Sequence, residues 1–381
     1  MTARTPPVTL TRPVTLTPLL GFPEVREGDD LAVLTLKALQ DNEIQLADGD
    51  ILVLSSKIAS KAMGLRAPCA DQSAVVLSQT VRIIAERMTP SGVTRIVESA
   101  AGPVMTAAGV DASNAADDST LLLLPHDPDA VAEGLRHAVH AGWTELTGTR
   151  RAIGVILSDT AGRPWRNGQT DFALGTAGIH VIEDLRGSTD ANGRSLSVTE
   201  RCVADEIASA ADLVKGKAAN IPAAHVRGLG QHVLAREIDD QAGPSIPGAR
   251  ELIRTGAQDW FGYGMVEAVR AALGVEPGSA TASEVGIPYI LSEDVATRAG
   301  RAIRIALLSC PGATAEIDGA TITLTAPDDF TLGAVATRAE VALHGEGLAT
   351  DLSRIPARQP PPEVAGDGLL TDGPTILIVF Q

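Results

Sequence analysis

A chain of 381 residues that is 44 % hydrophobic and 20 % charged has room for two folded domains and is too apolar to be disordered along its length. Its 31 Lys and Arg against 47 Asp and Glu leave a formal charge of −16, which opposes nonspecific attraction to nucleic acid or an anionic membrane but still admits anionic small molecules held by local cations. No long uncharged apolar span reads as a transmembrane helix, and residues 1–18 lack the basic and apolar regions of a signal peptide. Three dispersed cysteines, Cys69, Cys202 and Cys310, build neither a disulfide framework nor a zinc site, so a cytoplasmic protein is expected.

With aromatics at 3 %, the core must be packed from Ala, Val, Leu and Ile. Residues 1–20 alternate as an extended strand, and Gly21-Phe22-Pro23-Glu24 makes a turn. A helix starts near Leu31 with Asp29 or Asp30 as its cap. The strand Ile51–Leu54 becomes polar at once in Ser55, Ser56 and Lys57. Lys57 and Lys61 would share a helix face and repel, which makes sense if an anion sits between them; a solvated face is the plainer alternative. Helix is expected over Ala74–Arg87 and strand over Val93–Ser99. A polar turn follows in which Asp111, Ser113 and Asn114 suit an Asx turn or helix cap. After the short strand Leu121–Leu124 comes the helix Ala130–Gly142, where Glu133, His137 and His140 read as a surface acid–imidazole group.

The most informative stretch is central. A buried β-branched run, Ile153–Leu157, breaks into Ser158, Asp159, Thr160, Ala161 and Gly162, as a strand does when it ends in a polar turn. In open sheets the crevice beyond strand C-termini is where ligands bind, so Asp159 is well placed for a metal or phosphate site. Arg163, Arg166, Asn167, Gln169 and Asp171 follow, a set suited to handling anions through a cation or, more simply, to capping the next helix. A helix over Val198–Leu213 carries Glu200, Asp205 and Glu206, and Val214-Lys215-Gly216-Lys217 sets cations beside glycine, as close approach to phosphate requires. No P-loop pattern occurs. A composition shift at Gln241–Gly248 separates a domain at 1–245 from one at 246–381. The latter is expected to run as helix (Arg250–Leu273), linker (Val275–Gly286), strands (Ile303–Leu308, Ala320–Leu324), helix (Ala334–Gly345), an extended proline run (Gln359–Glu363) and a last strand (Thr375–Phe380).

Taken together and in this order, Leu16–Leu31, Ser56–Lys61, Ala108–Asn114, Ser158–Arg163 with Trp165–Asp171, and Val203–Ile207 with Val214–Lys217 resemble the coenzyme F420-0:L-glutamate ligase family over roughly residues 10–235. The resemblance implies an α+β ligase domain, with a smaller α/β domain after it that is either a degenerate nitroreductase-like domain or one of another kind. It further implies a GTP-dependent enzyme that joins L-glutamate to the lactyl carboxylate of the deazaflavin precursor F420-0 through an acyl phosphate, releasing GDP and phosphate. Magnesium or manganese, potassium and a homodimeric state are implied with it; nucleic acid and membrane are not. By motif, Asp111, Asp159 and Thr160 would hold the metal, and Gly21, Phe22, Pro23, Glu24, Ser56, Lys57, Lys61 and Asn114 the nucleotide. Asp159 would be central to catalysis, with Arg163 and Arg166 holding glutamate carboxylates or the precursor's phosphodiester. Lys215 and Lys217 depart from a metal-ligating pattern, so either Glu206 or Gln169 supplies a further ligand or the lysines neutralise phosphate. Two other outcomes are a nucleotide- or deazaflavin-binding protein without catalysis, and a flavin-dependent oxidoreductase carrying a vestigial ligase domain.

Overall fold

A computed structural model describes residues 13–112, 119–216, 219–234, 248–354 and 374–380; the proline run at 359–363 lies outside them. The chain forms two compact units, Met1–Val81 with Glu98–Thr255 and Arg82–Val97 with Gly256–Gln381. The sequence division at 245/246 places residues 82–97 in the first domain, whereas they pack in the second unit.

In chain order the first 255 residues contain β1 (Thr15–Pro18), α1 (Leu31–Asp41), β2 (Asp50–Ser55), α2 (Ser56–Ala62), β3 (Arg66–Pro68), α3 (Gln72–Ser78), β4 (Thr80–Thr89), β5 (Gly92–Ser99), β6 (Val104–Thr106), β7 (Thr120–Leu122), α4 (Pro128–Thr147), β8 (Ile153–Arg163), β9 (Arg166–Ala177), β10 (Ile182–Asp184), β11 (Glu200–Cys202), α5 (Val203–Asp212) and β12 (Ala223–Arg227). Most of β4 and β5 belongs to the second unit. The first unit is built on a five-stranded sheet of order β1-β12-β2-β8-β9. Only the central pair β2 and β8 is parallel, with Ile51 opposite Gly154 and Ser55 opposite Ser158.

Alternate residues of β2 feed opposite cores. Leu52 and Leu54 join α1 and α4 (Leu36, Leu39, Leu135, Val139, Trp143), while Ile51 and Val53 join α5 (Ile207, Ala208, Ala211). A strand covered on both faces must be apolar at every position, and this is why Ile51–Leu54 and Ile153–Leu157 stand out as unbroken runs. Of the two expected caps for α1, Asp30 is used: its Oδ1 accepts from the N–H groups of Ala32 and Val33 at 2.8 and 3.1 Å, a contact worth about 1 kcal/mol. On β9, Gly175 lies so close to α4 that a Cβ there would come within 2.3 Å of the Pro128 carbonyl oxygen, a backbone atom that cannot move aside.

Two local expectations are corrected here. The helix expected over Ala74–Arg87 stops at Ser78, and β4 begins at Thr80, where Thr80, Val81, Ile83 and Ile84 supply the β-branched side chains that favour a strand. The polar stretch after Leu157 is not a turn: β8 continues to Arg163 and forms a hairpin with β9. A register shift between Leu157 and Ser158 marks a bulge where the apolar run becomes polar, a device that re-aims side chains at the end of a sheet.

In the second unit, α6 (Met265–Ala272), α7 (Ala280–Val285), α8 (Val295–Leu307) and α9 (Asp329–Gly345) accompany β13 (Thr314–Asp318), β14 (Thr321–Thr325), β15 (Thr350–Arg354) and β16 (Thr375–Phe380). The strands pair antiparallel in the order β13-β14-β16-β15, which makes this unit α+β and not α/β. Its core includes Ile305, Val335, Leu343, Ile378 and Phe380. The strand expected at Ile303–Leu308 is the end of α8, since Ala299, Ala302, Ile303 and Ala306 are buried at helical spacing. The helix expected over Arg250–Leu273 is two short 3₁₀ turns and then α6, interrupted by Gly256, Gly262 and Gly264. The expected linker holds α7, capped by Ser279, whose Oγ accepts from the Ala282 N–H at 3.0 Å. Among the described residues no helix is long and apolar enough to cross a membrane.

Candidate active site

Because β2 and β8 run parallel and in register, their C-terminal ends emerge together, and both turn polar there. The chain leaves β2 directly into α2, whose Ser56 is fully buried and donates from Oγ to Asp159 Oδ1 at 3.1 Å. This bond docks the helix on the end of β8. At the next residue, Lys57 Nζ lies 2.5 Å from Asp111 Oδ2, and one turn further Lys61 pairs with Glu24.

The bulge sets the next residues. Beyond it, Thr160 stands opposite Asp171 on β9. Asp171 is buried and accepts from Thr160 Oγ1 at 2.7 Å, Ser158 Oγ at 2.8 Å and Lys215 Nζ at 2.6 Å. The same ammonium donates to Ser158 Oγ at 2.6 Å. Burial works against charge on Asp171, but the Lys215 ammonium and the three donors outweigh it and hold the carboxyl below its ordinary value. The proton of Thr160 is thereby committed, leaving Oγ1 only lone pairs to offer a ligand.

Asp159 is the opposite case. Burial pushes its carboxyl up to about 6; Ser56, the Thr160 N–H and the Lys57 charge pull it down without compensating, and the Asp171 charge adds to the rise. An added cation would reverse that balance.

These groups line a cleft of about 790 Å³. One wall is Phe22–Glu27; another is Lys57, Ile58 and Lys61 of α2, with Arg66 beyond them. Asp159, Thr160 and Asp171 line it from the strand ends, together with Asp212, Lys215, Gly216 and Asn220–Pro222. Of the sequence-derived site residues, Phe22, Pro23, Glu24, Lys57, Lys61, Asp159, Thr160 and Lys215 line this cleft. Ser56 backs it through Asp159, and Asp111 is tied to it through Lys57, whose charge also acts on Asp159. Gly21 is exposed and off the lining. Asn114 and Lys217 lie outside the described residues.

Arg163 and Arg166 are not brought to the cleft. They face each other across the exposed tip of the β8–β9 hairpin, with Arg163 four residues beyond Asp159, about 13 Å along a strand. Glu206 is exposed and paired with Arg201 at 2.6 Å, Gln169 is exposed on the hairpin, and neither lines the cleft. Asp205 Oδ1 accepts from the Ala173 N–H at 2.9 Å and so anchors α5 to β9. His137 and Glu133 pair at the surface at 2.8 Å, as expected. Sequence reasoning missed Arg26, Arg66, Asp212 and Asn220 as lining residues; Arg66 follows the Ser56–Lys61 motif by only five positions, and its return to the same cleft is the one local signal.

Among the described residues, no three or more His, Cys, Asp or Glu side chains form a metal site by themselves. The donors at hand are a carboxylate disfavoured by burial at Asp159, a hydroxyl committed to acceptance at Thr160, and the Asp111 carboxylate now on Lys57. These are hard oxygen donors, the type that suits magnesium or manganese sharing its coordination with substrate oxygens.

The model of the F420-0:gamma-glutamyl ligase family matches residues 20–228. The chain is 38 % identical to the coenzyme F420:L-glutamate ligase of Archaeoglobus fulgidus over 227 residues, 56 % of this chain and 86 % of that protein. The enzyme of the same name from Methanothermobacter thermautotrophicus is 39 % identical over 227 residues (55 % and 86 %), and that from Natronomonas pharaonis 36 % over 249 residues (58 % and 91 %).

Proposed function

Because the chain belongs to the F420-0:gamma-glutamyl ligase family, we propose that it joins L-glutamate to the carboxylate of coenzyme F420-0 at the cleft beyond β2 and β8, using GTP. Carrying this is one observation: within the matched residues, lysines and hard oxygen donors converge at the C-terminal edge of the parallel pair. A carboxylate and an amine do not condense unaided in water. The F420-0 carboxylate attacks the γ-phosphorus of GTP, GDP leaves, and an acyl phosphate forms. The glutamate amine then attacks the acyl carbon, loses a proton and expels inorganic phosphate. Lys57 and Lys61, which line the cleft and are each paired with a carboxylate, would exchange those partners for phosphate oxygens. Asp159, Thr160 and Asp111 would hold a divalent cation, which when bound supplies neutralisation of phosphate charge. Lys215 keeps Asp171 ionised, and Asp171 keeps the Thr160 hydroxyl an acceptor.

The test is mass spectrometry of a reaction containing the full chain, GTP, magnesium, L-glutamate and F420-0. The expected product is heavier by one glutamyl residue, and GTP is consumed only when both co-substrates are present. Consumption of GTP that does not depend on F420-0, or no product while F420-0 stays intact, overturns the proposal.

A further inference from the structure

We infer that Arg66 is an oxyanion subsite of the cleft, serving a co-substrate and not the nucleotide, an inference that rests on the ligase function proposed above. The cleft's cations divide by chemistry. Each lysine is already engaged with a carboxylate: Lys57 with Asp111, Lys61 with Glu24 and Lys215 with Asp171. Arg66 lines the same space, yet its Nε is buried with no hydrogen-bond partner among the described residues. In a chain with sixteen more acids than bases, a partly buried guanidinium with no acid paired to it among the described residues is an outlier. A guanidinium cannot escape the cost of burial by losing its proton, and because Arg66 lines the cleft its fork can be answered by an acceptor from outside the chain.

The backbone that carries Arg66 is also held in place. Arg66 pairs with Leu122 across β3 and β7, the Leu123 N–H donates to the Leu65 carbonyl at 3.0 Å, and the Leu65 N–H donates to the Ser60 carbonyl at 2.9 Å. The preceding Gly64 has φ of +67°, a conformation that favours glycine, in the turn that delivers Arg66. Carried on that fixed backbone beside the cleft, the planar fork can match a carboxylate or a phosphodiester by two parallel N–H bonds. Each co-substrate offers one such group: the carboxylates of L-glutamate or the phosphodiester of F420-0. Phosphates of GTP are left to Lys57 and Lys61, whose point charges suit them and whose present partners, Asp111 and Glu24, are exchangeable.

The experiment measures KM for L-glutamate, F420-0 and GTP in the wild type, Arg66→Ala and Arg66→Lys, with isothermal titration of L-glutamate alone and of F420-0 alone into each protein. Arg66→Ala is expected to raise KM for one of the two co-substrates 10- to 100-fold, leaving that for GTP within two-fold, and Arg66→Lys to fall between. Which co-substrate responds identifies the source of the oxyanion. A rise in KM for GTP, or no change in any KM, overturns the subsite. Should the wild type form no product, titration still decides: binding lost in Arg66→Ala keeps the subsite, and equal binding or none removes it. If Arg66→Ala fails to fold, Arg66→Lys alone carries the comparison, since it keeps the charge and removes the fork.

Discussion

The parallel pair β2–β8 has an acid near each end, and the two are tuned in opposite directions. Asp50 opens β2 and is fully buried; Arg227 donates to it through Nε at 2.8 Å and Nη2 at 2.6 Å, and the Ala47 N–H donates at 2.8 Å. His225 Nε2 lies 2.9 Å away, though not in the geometry of a formed hydrogen bond. Burial opposes the Asp50 charge, but Arg227, His225 and the Ala47 N–H more than offset it, and the carboxyl is held down at about 2. Asp159, past the other end, has Ser56 and a more distant Lys57 charge, and burial lifts it to about 6. One acid is answered within the chain and closes its end of the sheet; the other is incompletely answered and faces a cleft. Burial of an acid therefore means structure at one end and readiness for a cation at the other.

The largest test of this contrast is Asp159→Asn. If Asp159 takes part in holding a cation on the nucleotide, ligase turnover should drop about 1000-fold, the scale of losing one element of electrostatic stabilisation. Its effect on stability has the opposite sign. An acid whose folded value is raised from 3.8 to about 6 favours folding while protonated, and that advantage is lost as pH rises between the two values, on the order of 3 kcal/mol. Without metal, the Asn variant should therefore melt above the wild type at pH 7.5, and magnesium should narrow the gap by stabilising the wild type alone. Thermal unfolding with and without magnesium reads both effects. A variant that is less stable and equally active would make Asp159 a structural acid like Asp50.

Next in size is Lys215→Met. It leaves Asp171 buried with two hydroxyl donors but no counter-charge, so its carboxyl rises and begins to keep its own proton. A protonated Asp171 no longer obliges Thr160 to donate, and the acceptor at Thr160 Oγ1 is lost. Losses of 10- to 100-fold are usual when a group behind a metal ligand is removed. The Mn2+ affinity followed by electron paramagnetic resonance should fall by that factor. Unchanged affinity would confine the Asp171–Lys215 pair to holding the β8–β9 hairpin against the segment after α5.

What the sequence made legible follows from locality. Strand ends that turn polar within one residue, at Ser55–Lys57 and Ser158–Thr160, carry their own signal, and those residues do meet across Ser56 and Asp159. Relations set by register were hidden. That Asp171 faces Thr160, and that Arg163 and Arg166 are carried out to a hairpin tip, depends on register shifts between Leu157 and Ser158 and between Gly162 and Arg163, which no periodicity reveals. Arg66 was hidden differently, because its role depends on lacking a partner among the described residues, and partners are a property of three-dimensional neighbours. In the second unit, Ile303–Leu308 reads as a strand by itself and as a helix only when Ala299 and Ala302 are counted with it.

The smallest effect belongs to the closed end, and it isolates structure from function. Asp50→Asn removes the charge that Arg227 and His225 surround while keeping the shape. Because the Arg227 side chain is half exposed and can recover water, the cost should be about 1–2 kcal/mol, below that of breaking a fully buried pair. An acid whose folded value is depressed stabilises above its ordinary value of 3.8, and that contribution is lost as pH falls through about 2. Urea unfolding should thus separate wild type and Asp50→Asn by the full amount at pH 7 and bring them together on acidification below pH 3. Turnover and Mn2+ affinity should stay at wild-type values, because β2 carries the strain of the substitution at the end opposite Ser55. If Asp50→Asn instead lowers Mn2+ affinity while its stability holds, the two ends communicate through the parallel strands and cannot be treated as separate devices.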